Sequence, residues 1–284
     1  MNPFAADLLK GKKLLVTGGG TGLGRTMTEN FLRLGASVAI CGRRLEVLDK
    51  AAAELREAVP GATVTTHRCD IRDATAVDAM IDAIWQDGPL DILINNAAAN
   101  FIAQTESLSA RAADAILNIT MHGALYCTLA AGKRWIEAQR GGVVLSILST
   151  SVITGRAFTT PSAMAKAGVL AMTRSLAVEW GPKNIRLVAI GPGSFPTKGG
   201  WDKLVPEARR AAMDAAPNVP LGRHGEHQEL ANLAAFMVSD AATYMNGELV
   251  VLDGGAHLRN SGAEDLLGWS DDQWAQHRDS IGRK

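Results

Sequence analysis

The chain has 284 residues, a formal net charge of zero and only three cysteines. That length holds one large α/β domain with an appended tail as readily as two small domains. The charge balance offers no nucleic-acid surface, so an anionic ligand must be held by local groups. Cys41, Cys69 and Cys127 lie far apart without a Cys-x-x-Cys pair, which predicts buried reduced thiols rather than a disulfide frame or a metal site. The N-terminal residues lack the basic start and apolar core of a signal peptide. No uninterrupted apolar run reaches the roughly 18 residues of a membrane span. The expectation is a soluble, cytoplasmic protein with neither membrane nor nucleic-acid partners.

In chain order, strands are predicted at Lys13–Thr17, Ser37–Cys41, Thr63–His67, Ile92–Ile94, Gly142–Ile147, Ile185–Ile190 and Leu249–Leu252. Helices fit between them, among them Leu45–Ala58 and Ala165–Trp180. This alternation predicts parallel strands joined by right-handed helical crossovers, a doubly wound α/β sheet with helices on both faces. No repeat or Pro/Ser-rich linker divides it. Residues 1–256 therefore read as one domain, and residues 257–284 as a tail.

The first strand runs into Thr17-Gly-Gly-Gly-Thr-Gly-Leu-Gly24 and then a helix. A buried strand turning into a helix through glycines leaves backbone N–H groups free for a pyrophosphate. Gly18 suits a tight turn, Gly22 a close approach of backbone to ligand, and Gly24 close packing of helix on strand. Thr21, Leu23 and the glycines are candidate cofactor contacts in a Rossmann-type fold; a bare glycine-rich loop is the alternative. No acidic residue lies between Ser37 and Arg44, and the second strand ends on Arg43-Arg44. Basic residues there favour the 2′-phosphate of NADP(H) over the ribose hydroxyls of NAD(H). After the third strand, Asp70, with Ile71 beside it, is placed to accept from an adenine amino group, or else caps a helix. The fourth strand enters Asn95-Asn96-Ala97, where open α/β sheets bind ligands close to the backbone.

These motifs, with Pro192-Gly193-x-x-x-Thr197 and Val251-Leu-Asp-Gly-Gly255, resemble the short-chain dehydrogenase/reductase family from about residue 10 to residue 256. The resemblance implies that Thr197 contacts the nicotinamide carboxamide. Most members pair a tyrosine with a lysine four residues later, the lysine lowering the phenol pKa. Lys166 matches that lysine, but the tyrosine position is Ser162, and neither Tyr126 nor Tyr244 has the spacing. A serine hydroxyl is too weak an acid for that work, so simple carbonyl reduction is disfavoured. Ser149 occupies the position of the usual carbonyl-binding serine. Thr120 stands where the structural asparagine is usual, with Asn118 two residues earlier.

Losing the tyrosine and keeping the lysine resembles the 2,4-dienoyl-CoA reductases, as does the order Asn100-Phe101, Pro161-Ser162-Ala-x-Ala-Lys166, Pro192-Gly-x-x-x-Thr-Lys-Gly199. That resemblance implies hydride transfer from NADPH to the δ carbon of an acyl-CoA, and protonation of the α carbon by water. Asn100 would donate to the enolate oxygen. Lys166 would hold the nicotinamide ribose, and Ser162 would keep the lysine in place. Phe101 would line the acyl site, and Arg72 and Lys203 would meet the CoA phosphates. Ser151 replaces a second donor, a tyrosine, of the mitochondrial-type enzymes. A 2-enoyl-CoA reductase and a catalytically silent NADP(H)-binding homologue are the alternatives. His224-Gly-Glu-His227 reads as a helix cap rather than a metal site. Residues 195–220 read as a segment closing over substrate, and the tail as packing on another subunit or at the active-site mouth. A homotetramer is implied by the family alone.

Overall fold

Apolar side chains alternate between two cores along each central strand. In β1 (Lys13–Thr17), Leu14 and Val16 enter one core and Leu15 the other. A strand buried on both faces belongs in the middle of a parallel sheet. The computed structural model describes residues 3–197, 205, 207–210, 219–259 and 263–281. It adds β2 (Ser37–Gly42), β3 (Val64–Arg68), β4 (Ile92–Asn95), β5 (Gly142–Ile147), β6 (Ile185–Pro192) and β7 (Leu249–Leu252). All pair in parallel, in the order β3-β2-β1-β4-β5-β6-β7. β1, β5 and β7 have their predicted bounds, and the other four are shifted or extended at their ends.

The helices are α1 (Gly22–Arg33), α2 (Leu45–Ala58), α3 (Ala74–Gln86), α4 (Ala110–Leu117), α5 (Gly123–Glu137), α6 (Ser151–Thr154), α7 (Thr160–Trp180), α8 (His227–Val238) and α9 (Asp271–Ile281). Buried residues of α1, α2 and α8 share one core and those of α3 the other, while those of α5 and α7 divide between the second core and a smaller cluster with Leu148, Ala189 and Leu249. The order reverses between β1 and β4, which places the ligand crevice at their carboxyl ends. α7 begins before the predicted Ala165 because Thr159 is its N-cap and Pro161 suits a first helical turn. A π-helical turn, Asn118–His122, joins α4 to α5. The resulting helix, Ala110–Glu137, is long and apolar enough by length and composition to cross a membrane, and half of its apolar window is buried inside this fold. In the tail, α9 buries no residue. Its Trp274 packs against Trp269, with ring centroids 4.9 Å apart.

Trp135 anchors the second core. It is fully buried, and its indole N–H donates to the Leu90 carbonyl at 2.5 Å. A Cβ at Gly142 would lie 2.4 Å from its ring, so the strand must carry glycine there. Replacing Trp135 by Ala leaves a large cavity and an unpaired carbonyl; a loss of about 3–5 kcal/mol is expected from equilibrium denaturation. A loss below about 1 kcal/mol contradicts this packing account.

Candidate active site

The glycine turn is shaped by what surrounds it. Gly18 and Gly22 have φ of 67° and 53°, the left-handed region that favours glycine. A Cβ on Gly24 would lie 2.5 Å from both the Gly18 carbonyl oxygen and Asn96 Nδ2. Gly24 therefore clears the turn itself and the end of β4, rather than spacing helix from strand. Gly19, to which the spacing assigns no role, faces Ile40 of β2 with room only for hydrogen: a Cβ there would lie 2.5 Å from Ile40 Cγ2. At the N-cap of α1, Thr21 is extended, its hydroxyl makes no capping bond, and the first turn carries no acid. Leading N–H groups of a helix have no internal acceptor. Above them sits Thr197, with Cγ2 3.4 Å from where a Gly22 Cβ would be. This cradle, which a side chain would fill, fits a dinucleotide pyrophosphate.

Asn96 is bonded to the turn. Its Nδ2 donates to the Thr17 carbonyl at 2.9 Å, and the N–H groups of Asn96 and Ala97 donate to Thr17 Oγ1, both at 3.0 Å. Deeper in, Asn95 Nδ2 donates to Thr128 Oγ1 at 2.9 Å, while Asn95 Oδ1 and Ser146 Oγ, on adjacent paired strands, are buried without a partner among the described residues. At the adenine end, Arg43 and Arg44 are exposed. Asp70 is already paired: Arg72 grips both carboxylate oxygens. Those bonds, with the field of Arg43 adding less, hold the Asp70 carboxyl below its usual pKa. Arg72 is thus an exposed cation already paired to Asp70. Asp73, not Asp70, caps α3. The Ile71 side chain is buried against Gly123, where a Cβ would approach it to 2.5 Å.

Asn100 follows the same crevice outward. Its Oδ1 accepts from the Phe101 N–H at 2.9 Å, which leaves the amide Nδ2 as its donor. One residue earlier, the Ala99 N–H donates to Thr120 Oγ1 at 3.3 Å, and Thr120 is buried in the π-helical turn. Thr120 therefore pins the Asn100 segment. In the same turn, Asn118 Oδ1 bonds to His122 Nδ1 at 2.9 Å, and His122 stacks on Tyr126.

Lys166 lies on α7, half-buried, and its Nζ donates to the Leu148 carbonyl at 2.6 Å. Ser162 is buried on the same helix, and among the described residues its hydroxyl makes no bond to the lysine. It is not the helix cap either. The lysine is held by the end of β5, not by Ser162. Beside Leu148, Ser149 Oγ is hydrogen-bonded to Ser151 Oγ. At the end of β6, Pro192 leads into Gly193, whose missing Cβ lets Asp253 approach. His227 Nε2 meets the Pro196 carbonyl at 2.7 Å, tying the chain before Thr197 to α8. Glu226 and Glu229 form the capping box of that helix, as the His-Gly-Glu-His reading expects. The three cysteines are buried free thiols. Lys203 and most of residues 195–220 lie outside the described residues.

The family model described as enoyl-(acyl carrier protein) reductase matches residues 18–257. The chain belongs to the short-chain dehydrogenase/reductase family, whose fold implies a nicotinamide dinucleotide cofactor. A probable (3E)-enoyl-CoA-producing 2,4-dienoyl-CoA reductase of Caenorhabditis elegans is 42% identical over 281 residues, 96% of this chain and 90% of its own length. A probable (2E)-enoyl-CoA-producing 2,4-dienoyl-CoA reductase of Bacillus subtilis is 41% identical over 249 residues, 87% of this chain and 97% of its own. The crystal structure of a short chain dehydrogenase from Bacillus anthracis superposes with a TM-score of 0.78 at 40% identity, over 90% of this chain and 99% of that one.

Burial pushes the Lys166 ammonium down to about 8. Its pKa is then lower folded than unfolded, so the unfolded chain binds more protons between the two values. The stability cost of burying the charge is full below about pH 8 and fades as pH rises toward the free lysine value. Lys166→Met, which removes that charge, should gain stability over the parent at about pH 7, and the gain should shrink by about pH 9.5 in paired denaturation curves. A difference that does not change with pH contradicts the burial of this charge.

Proposed function

We propose that the protein is an NADPH-dependent reductase of a conjugated carbon–carbon double bond in an acyl-CoA, most like a 2,4-dienoyl-CoA reductase. The observation that carries this reading is Asn100: its Oδ1 accepts from the Phe101 N–H, which leaves its Nδ2 as the hydrogen-bond donor of the amide. It stands in a site that has the family lysine and lacks the family tyrosine. Reduction of a ketone needs an acid to protonate an alkoxide. Reduction of a conjugated thioester needs donors that accept spreading negative charge at the carbonyl oxygen.

NADPH supplies a hydride when bound. Thr21, Gly22, Leu23 and Gly24 would hold its pyrophosphate, Thr197 would meet its carboxamide, and Lys166 its ribose. Arg43 and Arg44 support NADP(H) over NAD(H): both are exposed where the 2′-phosphate would lie, without an ion-pair partner among the described residues. With hydride delivered to the δ carbon, charge moves through the conjugated system to the thioester oxygen, which Asn100 Nδ2 stabilises. Water then protonates the α carbon, giving a 3-enoyl-CoA, as the name of the worm relative states for that protein. Exposed Leu129 on α5 (46%) and Val178 on α7 (80%) supply apolar surface for the homotetramer that the family suggests. A 2-enoyl-CoA reductase is the second reading, favoured by the description of the matching family model.

Purified protein mixed with NADPH should consume it with 2,4-hexadienoyl-CoA and not with acetoacetyl-CoA; consumption with 2-hexenoyl-CoA alone would transfer the assignment to the second reading. Asn100→Ala should lower kcat about 100-fold or more while NADPH affinity stays within about twofold. Rapid consumption of acetoacetyl-CoA, or a fully active Asn100→Ala variant, contradicts the proposal.

A further inference from the structure

The chain between Gly155 and Thr160 connects the segments of the candidate site. It leads from Ser151 on α6 to Ser162 and Lys166 on α7. It is also bonded to the segment that carries Asn100: the Ala103 N–H donates to the Phe158 carbonyl at 3.0 Å, and the hydroxyls of Thr105 and Thr160 lie 3.1 Å apart. Three residues of extended chain span at most about 10 Å, so Ala103 lies within that distance of Asn100, and Phe158 lies beside Ala103.

Phe158 is held there at a cost to the fold. Its φ is 63°, a left-handed conformation in which a bulky side chain crowds its own backbone. Three residues earlier, Gly155 meets a left-handed turn with the residue suited to it, at a φ of 66°. The other non-glycine residues with positive φ among those described, Gln139 and Asn184, are polar and lie where β5 and β6 begin, at the opposite end of the sheet from the crevice. Phe158 is apolar and 55% exposed. Neither core packing nor solubility accounts for an exposed aromatic ring on a left-handed backbone, and strain of this kind persists at ligand clamps. Ile102, two residues after Asn100, and Ile153 on α6 are exposed on the segments that meet at this link.

We propose that Phe158 receives the acyl tail of the substrate beyond its conjugated carbons, and so sets a preference for longer acyl chains. With the thioester oxygen at Asn100, the tail needs an apolar surface within a few residues of that amide, and Phe158 supplies one. Each methylene that leaves water for an aromatic face favours binding. The inference rests on the proposed reaction and deepens it by naming the residue that selects among acyl-CoA substrates.

The test compares 2,4-decadienoyl-CoA with 2,4-hexadienoyl-CoA on the full-length enzyme with NADPH, reading kcat, KM and Tm. The parent should favour the longer substrate in kcat/KM, and Phe158→Ala should lower that preference about 10-fold, through KM rather than kcat. Phe158→Leu, which keeps apolar bulk, should recover most of it. Phe158→Gly also loses the ring but relieves the left-handed strain, so its Tm should lie about 2–4 °C above that of Phe158→Ala. A Phe158→Ala variant that keeps the parental preference overturns the inference. An equal loss with both substrates overturns it too, because it places the ring against the CoA moiety that they share. Those outcomes leave the reductase assignment standing; a parent enzyme inert toward both dienoyl thioesters overturns the two together.

Discussion

The hydrogen bonds between Thr17 and the Asn96-Ala97 segment are the constraint on which the site depends. Thr17 Oγ1 accepts from two successive N–H groups beyond β4 and donates to the Ile94 carbonyl at 3.3 Å, while Asn96 Nδ2 donates back to the Thr17 carbonyl. β1 and β4 part at this point, where the strand order reverses. Without a polar clasp, the ends of the two strands would leave several backbone groups unpaired inside the protein, at about 1–3 kcal/mol each. The clasp sets the glycine turn on one side. On the other it starts the path to Ala99 and Asn100, which Thr120 then holds. The glycine turn and the segment that carries Asn100 are thus positioned by one junction.

The rest of the site follows from having a lysine without a tyrosine. Lys166 is tied to the end of β5 through the Leu148 carbonyl, and the serines that follow Leu148 face each other. No strong acid is present where the family ordinarily keeps one. The groups that are present, an oriented amide and two hydroxyls, donate hydrogen bonds and retain their protons. Such groups favour a reaction in which charge collects on an oxygen and the proton arrives at carbon from elsewhere. At the far end of the crevice, Arg72 pairs with Asp70, near the exposed Arg43 and Arg44.

Much of the architecture is legible in the sequence because it is local. β1, β5 and β7 announce themselves as short apolar runs, the glycine turn as a spacing, and Lys166 as a position on one helix. What is not legible depends on contacts between residues distant in the chain or on the direction of a side chain. The bonds of Asn96 to Thr17 cannot be read from either motif alone. Asp70 and Arg72 read as separate binding residues until they pair. Ser162 reads as the lysine's support, although the carbonyl that performs that task carries no sequence signature at all. Thr120 looks like a lost asparagine, and its bond to Ala99 emerges only once the π-helical turn sets its direction.

In the proposed reaction, hydride reaches the carbon most remote from the thioester while the charge is held at its oxygen. The most direct measurement is to turn over 2,4-hexadienoyl-CoA with NADPH carrying deuterium at the transferred position, and to locate the label in the product by NMR. Deuterium at the δ carbon of a 3-enoyl-CoA, with solvent hydrogen at the α carbon, is the expected result. Label at the β carbon of a product that keeps its γ,δ double bond, or at a carbon bearing a new hydroxyl, would contradict it.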